Sequence, residues 1–282
     1  MANAEPQIIE VAPGIRTGLW HWQPPSPASI RRAVLILPAL GVRAAAYRHL
    51  AQALNVHGLD VLALDLRGVG SSSVRASRQH DWGYQDLLDD ELECLLAQAR
   101  QRLPQAPLAW LGHSLGGHLA VLHALLRGNA TPDLQHLLLV ASGSPHLPLL
   151  ARREARGARF LTAMINLSTP LLGAFRGDWL GFGGRQGSRL MREWARLVRA
   201  GTLPLGDPRG PIDRPSVAAF TMAGDHYAPK ASVQALADRL GQGHAAETIG
   251  PDEEGRLPGH FDWMKRPERI ARALALRVCG SD

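Results

Sequence analysis

The chain has 282 residues, 45% hydrophobic and 20% charged, with a formal net charge of +6. That balance suits a soluble core-building protein and excludes a disordered tail, a collagen-like fibre and a disulfide scaffold. The isoelectric point of about 10.1 first suggests nucleic acid or an anionic membrane as partner, yet the surplus is nearly all arginine, which hardly deprotonates, with Lys230 and Lys265 the sole lysines.

Residues 1–14 contain neither a basic n-region nor an apolar h-region, so no signal peptide is expected. No apolar run nears the roughly 20 residues of a bilayer span. The expectation is a cytoplasmic protein without stable membrane insertion. Ile8 to Val11 and Ile15 to Trp22 read as strands joined by a Pro13-Gly14 turn, a hairpin. Ala33 to Leu37 is an uninterrupted apolar run, as a strand buried on both faces would be. A helix is predicted from Ala44 to Val56, ended by Gly58 as a left-handed cap. The strand Val61 to Leu64 follows and runs into Asp65-Leu66-Arg67-Gly68-Val69-Gly70-Ser71.

Leu87, Leu88, Leu92, Leu95, Leu96 and Ala99 recur at helical spacing between Trp82 and Arg100. The acids of that helix (Asp86, Asp89, Asp90, Glu91, Glu93) suit its N-terminal dipole and read as a solvated face, not a metal site. Cys94 and Cys279 give no disulfide framework and no metal spacing; buried free thiols are expected. Further strands are predicted at Leu108 to Gly112 and Leu137 to Ala141, with a helix from Leu115 to Leu126 between them. The alternation then stops. From about Pro145 to Pro215 there are helical patterns (Arg152 to Leu167, Arg189 to Ala200) and the glycine-rich Gly181-Phe182-Gly183-Gly184. A compact domain does not carry so long a structureless loop, so an inserted helical cap is the economical reading. Alternation resumes with strand Val217 to Met222, helix Ala231 to Leu240, strand Ala246 to Ile249 and helix Pro267 to Val278. Alternating units imply a mostly parallel sheet with helices on both faces, and ligands sit beyond the carboxyl ends of its strands.

Gly112-His113-Ser114-Leu115-Gly116 occupies such a place, between a predicted buried strand and a predicted helix. Alone the pattern is weak; the strand–turn–helix context is what gives it meaning. The sharp turn exposes the serine hydroxyl, and its crowding demands small residues two before and two after. The Leu115 N–H, at the helix N-terminus, can stabilise an oxyanion.

With these residues the chain resembles the α/β-hydrolase superfamily over about residues 30 to 280. The resemblance implies an α/β fold with a mostly parallel central sheet, residues 1–145 and 215–282 forming the core and 146–214 an inserted cap. It also implies the chain order nucleophile, acid, histidine. Ser114 is then the nucleophile. Asp225, in Ala223-Gly224-Asp225-His226-Tyr227-Ala228-Pro229, is the acid. His260, in Leu257-Pro258-Gly259-His260-Phe261-Asp262-Trp263, is the base. Asp207, Asp213 and Asp252 are weaker candidates for the acid, and Asp65 belongs to a structural run of the family. His113 is expected to be a packing residue, and His226 to point away. The second oxyanion donor, by position, is the Leu40 N–H in Pro38-Ala39-Leu40-Gly41, where many members carry His-Gly. That run, with Asp81-Trp82 and Gly143-Ser144, is similar to a group of bacterial α/β-hydrolases without assigned substrates.

The resemblance implies acyl transfer from a small-molecule ester to water, with no metal and no organic cofactor. A serine nucleophile sets the chain apart from the similar dehalogenases and epoxide hydrolases, which use aspartate. Amide hydrolysis, acyl transfer to other acceptors, carbon–carbon bond hydrolysis and a non-catalytic binding module stay open. Apolar cap residues (Leu147, Leu149, Leu150, Phe160, Met164, Leu167, Leu171, Leu172, Phe175, Trp179, Phe182) are expected to pack the cap onto the core, some of them lining an apolar acyl or aryl pocket. Arg152, Arg153, Arg156 and Arg159 read as a solvated helix face. The remaining surplus charge is expected to spread over core helices, with no nucleic-acid partner; a homodimer is compatible with the sequence.

Overall fold

The computed structural model describes residues 5–26, 30–206, 215–241 and 244–280. Its strands are β1 (Gln7–Ala12), β2 (Ile15–Trp22), β3 (Arg32–Leu37), β4 (Leu59–Leu64), β5 (Leu108–His113), β6 (Leu134–Val140), the two-residue β7 (Phe175–Arg176) and β8 (Arg185–Gln186), β9 (Ser216–Met222) and β10 (Ala246–Ile249). Eight of them form one sheet in the order β1-β2-β4-β3-β5-β6-β9-β10. The sheet is parallel from β4 to β10. The β1–β2 hairpin turns at Gly14, with φ of 73°, and joins β4 antiparallel.

The apolar runs explain the centre of this sheet. Side chains alternate faces along a strand. In β3, Leu35 and Leu37 enter one apolar layer, with Leu119 and Leu122 of helix α4 (Leu115–Arg127) and Leu236 of helix α7 (Lys230–Ala237). Val34 and Ile36 enter the other layer, with Leu50 and Leu54 of helix α1 (Arg48–Val56) and Leu274 of helix α8 (Glu268–Cys279). A strand covered on both faces must be apolar throughout, and each such side chain stabilises the fold by about 1.5–3 kcal/mol.

The helical run at 84–102 has three parts: α2 (Tyr84–Asp86), a π-helical turn (Leu87–Leu92) and α3 (Glu93–Arg102). The sequence pattern gives one regular helix there, so the π turn is a departure from it. Its acids do not form the expected solvated face throughout. Glu91 is 1% exposed and is held by Arg67 from the loop after β4, at 3.0 and 3.1 Å. The same guanidinium bonds Asp90. Two carboxylates share one buried cation, and burial pushes Glu91 up to about 7. The thiols also differ from expectation: Cys94 and Cys279 are half-buried, and Cys94 Sγ lies 3.7 Å from the carbonyl oxygen of Glu10.

Between β6 and β9 lie α5 (Arg152–Leu172), the β7–β8 ribbon and α6 (Ser188–Ala200). The ribbon is unforeseen, because strands of two residues leave no periodic signal. α6 is tied to the core by Glu193, whose carboxylate accepts the Tyr84 N–H at 2.8 Å, and by Leu190 N–H, which donates to Trp82 O. The charge is not spread over core helices. Residues 146–214 carry 12 arginines against 5 acids, whereas the rest has 19 basic residues against 20 acidic. The whole surplus belongs to that segment. Among the described residues no helix is long and apolar enough to cross a membrane.

Candidate active site

The turn from β5 into α4 places Ser114 at φ 53° and ψ −115°, a conformation that costs a non-glycine residue about 1–3 kcal/mol. The neighbouring glycines show why it persists. A Cβ on Gly116 would lie 1.9 Å from the Leu37 carbonyl oxygen, and one on Gly117 would lie 1.8 Å from Ser142 Oγ. That Oγ donates to the Ser114 carbonyl at 2.6 Å. Close packing of helix against strand thus clamps the turn.

The hydroxyl it presents lies 3.0 Å from His260 Nε2. His260 Nδ1–H donates to Asp225 Oδ2 at 2.8 Å. The other carboxylate oxygen of Asp225 accepts the backbone N–H groups of Tyr227 and Ala228 at 2.8 and 3.0 Å. Asp225 is 7% and His260 9% exposed. Asp225 follows β9, and His260 sits in the loop before α8. Gly224 N–H donates to Pro258 O at 2.9 Å and joins the two loops. A hydroxyl, an imidazole and a carboxylate in this sequence can activate the hydroxyl and hold the charge on the imidazole.

Leu40 and Leu115 border one narrow crevice, also walled by Leu66, Val69, Trp82 and Leu190. The β3 loop that carries Leu40 is met by the glycine-rich segment after α5: a Cβ on Gly41, at φ +73°, would lie 2.4 Å from Gly183 O. Leu40 also packs with the cluster of Ile165, Phe175, Met191 and Ala195. The other acids stand apart. Asp65 accepts the N–H groups of Ala44 and Ser71, Asp252 is paired with Arg256, and Asp207 and Asp213 lie outside the described residues. His226 is exposed. No group of three His, Cys, Asp or Glu side chains able to hold a metal occurs among the described residues.

His113 does more than pack. Its Nε2–H donates to the His260 carbonyl at 2.9 Å, and a carbonyl only accepts, so Nδ1 is free to accept the Tyr47 hydroxyl at 2.8 Å. That hydroxyl accepts the Ala39 N–H at 3.0 Å. Burial, with His260 nearby, holds His113 well below the ordinary imidazole range. Trp263 Nε1–H adds a second donor to the His260 carbonyl, at 2.9 Å. His118 is built likewise, between the Tyr84 hydroxyl at 3.1 Å and the Gly143 carbonyl at 2.9 Å. No residue-type pattern announced these bridges; their members meet only in three dimensions.

A parallel sheet with helices on both faces, and a strained serine at a strand–helix elbow, define an α/β-hydrolase. The family described as serine aminopeptidase, S33, matches residues 28–173, and the chain belongs to it. By that membership it is a hydrolase of the α/β-hydrolase superfamily. Among solved structures it is similar to a monoglyceride lipase from Saccharomyces cerevisiae, with TM-score 0.68, 12% identity, and 99% of this chain and 96% of that one covered. An esterase from Exiguobacterium antarcticum matches with TM-score 0.63, 16% identity and coverage of 98% and 100%. A hydrolase from Pseudomonas aeruginosa matches with TM-score 0.60, 18% identity and full coverage of both chains. At such identities the likeness is one of fold. No curated protein matches the sequence.

Proposed function

We propose that the chain is a serine hydrolase that cleaves a carboxylic ester of a small to medium apolar acyl or aryl group. The observation that carries this reading is the unbroken hydrogen-bond chain Ser114 Oγ, His260 and Asp225. Ser114 Oγ attacks the ester carbonyl carbon as His260 Nε2 takes its proton. The carbonyl oxygen becomes an oxyanion, for which the Leu40 and Leu115 N–H groups are the donors. Asp225, fixed by two backbone N–H groups, orients the imidazole and stabilises the imidazolium. His260 returns the proton to the leaving alcohol as the carbon–oxygen bond breaks. Water, deprotonated by His260, then releases the acid and restores Ser114. The described part of residues 146–214, with α5, the β7–β8 ribbon and α6, is the cap over this site. The apolar side chains beside Leu40 and Leu115 (Leu66, Val69, Trp82 and Leu190) support an apolar acyl or aryl group.

Fluorophosphonate labelling tests the nucleophile. The folded protein should be labelled at Ser114 and Ser114→Ala should not. An unlabelled wild type, or a labelled and equally active variant, would overturn the assignment. A p-nitrophenyl ester panel should show turnover of small to medium apolar acyl groups. Turnover of aminoacyl amides without turnover of esters would move the reading to amide hydrolysis.

A further inference from the structure

We propose that the outer face of α5 is a docking surface for an anionic lipid membrane, on which the helix lies flat. α5 runs 21 residues, from Arg152 to Leu172, a length of about 31 Å. One side of it, at Thr162, Ile165 and Thr169, is buried. At 3.6 residues per turn, Phe160, Leu167 and Leu171 fall on the opposite side. They are 67%, 68% and 66% exposed. Neither role expected for them, packing against the core or lining a pocket, is the one they have.

The same outer side continues toward the helix N-terminus through Arg156, Arg153 and Arg152, with Arg159 at its border, all exposed. The sole acid of the helix, Glu154, lies toward the inner side. None of these four guanidinium groups has an ion pair among the described residues. The result is one face, cationic for its first two turns and apolar for the rest. Long arginine side chains can reach headgroup phosphates while neighbouring apolar side chains enter the acyl boundary. Just beyond the helix, Trp179 is 65% exposed with the Arg176 guanidinium 4.0 Å above its ring, a residue type favoured at membrane–water boundaries.

Charge selects this occupant over a second copy. The α5 face carries Arg152, Arg153, Arg156 and Arg159 and no acid, and two such faces repel each other. An anionic leaflet attracts them, each arginine near its surface adding to the binding. A nucleic acid would leave the apolar stripe in water. Docking is peripheral and needs no spanning segment. It would set lipid against the outside of the helix whose inner residue Ile165 packs with Leu40. It stands independently of which bond the enzyme cleaves.

Vesicle flotation tests it with the full chain. Wild type should float with phosphatidylcholine vesicles holding roughly 30% phosphatidylglycerol at about 0.1 M salt, and far less with pure phosphatidylcholine. Replacing Arg152, Arg153, Arg156 and Arg159 together by Gln should lower partitioning at least about tenfold. So should replacing Phe160, Leu167 and Leu171 together by Ser. All seven side chains are exposed, so both variants should keep the wild-type melting temperature. Wild type that stays unbound on anionic vesicles overturns the proposal, as does either variant floating like wild type. A wild-type dimer that the serine variant makes monomeric, without vesicle binding, assigns the face to self-association instead.

Discussion

His113 precedes Ser114 in the chain and braces the backbone of His260, whose ring faces the Ser114 hydroxyl. The Ala39 N–H, the Tyr47 hydroxyl, the His113 ring and the His260 carbonyl form one line of hydrogen bonds. It ties the loop bearing Leu40 to the backbone of the imidazole that faces Ser114. Tyr47→Phe removes the hydroxyl alone. The Ala39 N–H and His113 Nδ1 are then left buried and unpaired, at a cost of about 1–3 kcal/mol. The expected result is a lower melting temperature and a kcat reduced by about tenfold or more, since small misplacements of reacting groups are expensive. Calorimetry with ester kinetics checks both. Asp225→Asn isolates the acid. An asparagine Oδ1 keeps both backbone hydrogen bonds, but its NH₂ group then faces His260 Nδ1. That forces the imidazole proton onto Nε2, facing the Ser114 hydroxyl. kcat should fall by about 10⁴ with little change in stability. The meeting of Ser114, Asp225 and His260 was legible in the sequence from a strand–glycine–serine–helix run and the chain order that the family resemblance implies. The brace was not, since Tyr47 and His113 carry no spacing relation to His260.

At the scale of elements, legibility followed periodicity. The apolar runs Ala33–Leu37, Val61–Leu64 and Leu108–Leu111 mark β3, β4 and β5, and α4 follows its elbow at once. The π turn at Leu87–Leu92 and the β7–β8 ribbon were hidden, one because a single wide turn shifts a helical pattern too little, the other because it is too short. The contact of the Gly183 segment with the Leu40 loop was hidden for another reason: it rests on the absence of side chains. Gly41 and Gly184 both have positive φ, at 73° and 68°. A Cβ at Gly41 would strike the Gly183 backbone, whereas one at Gly184 meets nothing within 4 Å. Gly184→Ala should cost no more than the conformational strain of about 1–2 kcal/mol. Gly41→Ala adds a backbone clash that no rotamer change relieves. It should destabilise more and depress ester turnover by displacing the loop. Urea titration and kcat/KM of the two variants side by side give the comparison, and equal costs would mean that the Gly183 segment does not bear on this loop.

Across the whole molecule, charge and burial divide the labour. The positive surplus sits in residues 146–214, outside a nearly neutral remainder, while the core buries His113, His118 and His123. Burial lowers the pKa of all three, His118 and His123 to about 4. Their ordinary value is near 6.5, so as pH falls the unfolded chain takes up these protons before the folded one does. For His118 and His123 the contribution is complete above pH 6.5 and is lost as pH drops toward 4, and His113 acts in the same direction. Each site should remove about 1.4 kcal/mol per pH unit in that window. Glu91 works in the opposite sense. Raised to about 7, it binds its proton in the fold before the unfolded carboxyl does, so it adds stability as pH falls from 7 to about 4.5. His136 is lowered by burial as well, so the lowered histidines outnumber the one raised glutamate, and the net slope should be positive, with stability falling as pH drops from 7 to 4.5. Unfolding free energies from urea titrations between pH 7 and 4.5 read that slope directly. His118→Gln, which can still donate to the Gly143 carbonyl, should lower it by one proton, and Glu91→Gln should raise it by one. A slope unchanged in His118→Gln would mean that the bridge from Tyr84 to Gly143 does not hold a neutral imidazole, and the matching assignment for His113 behind Ser114 would fall with it.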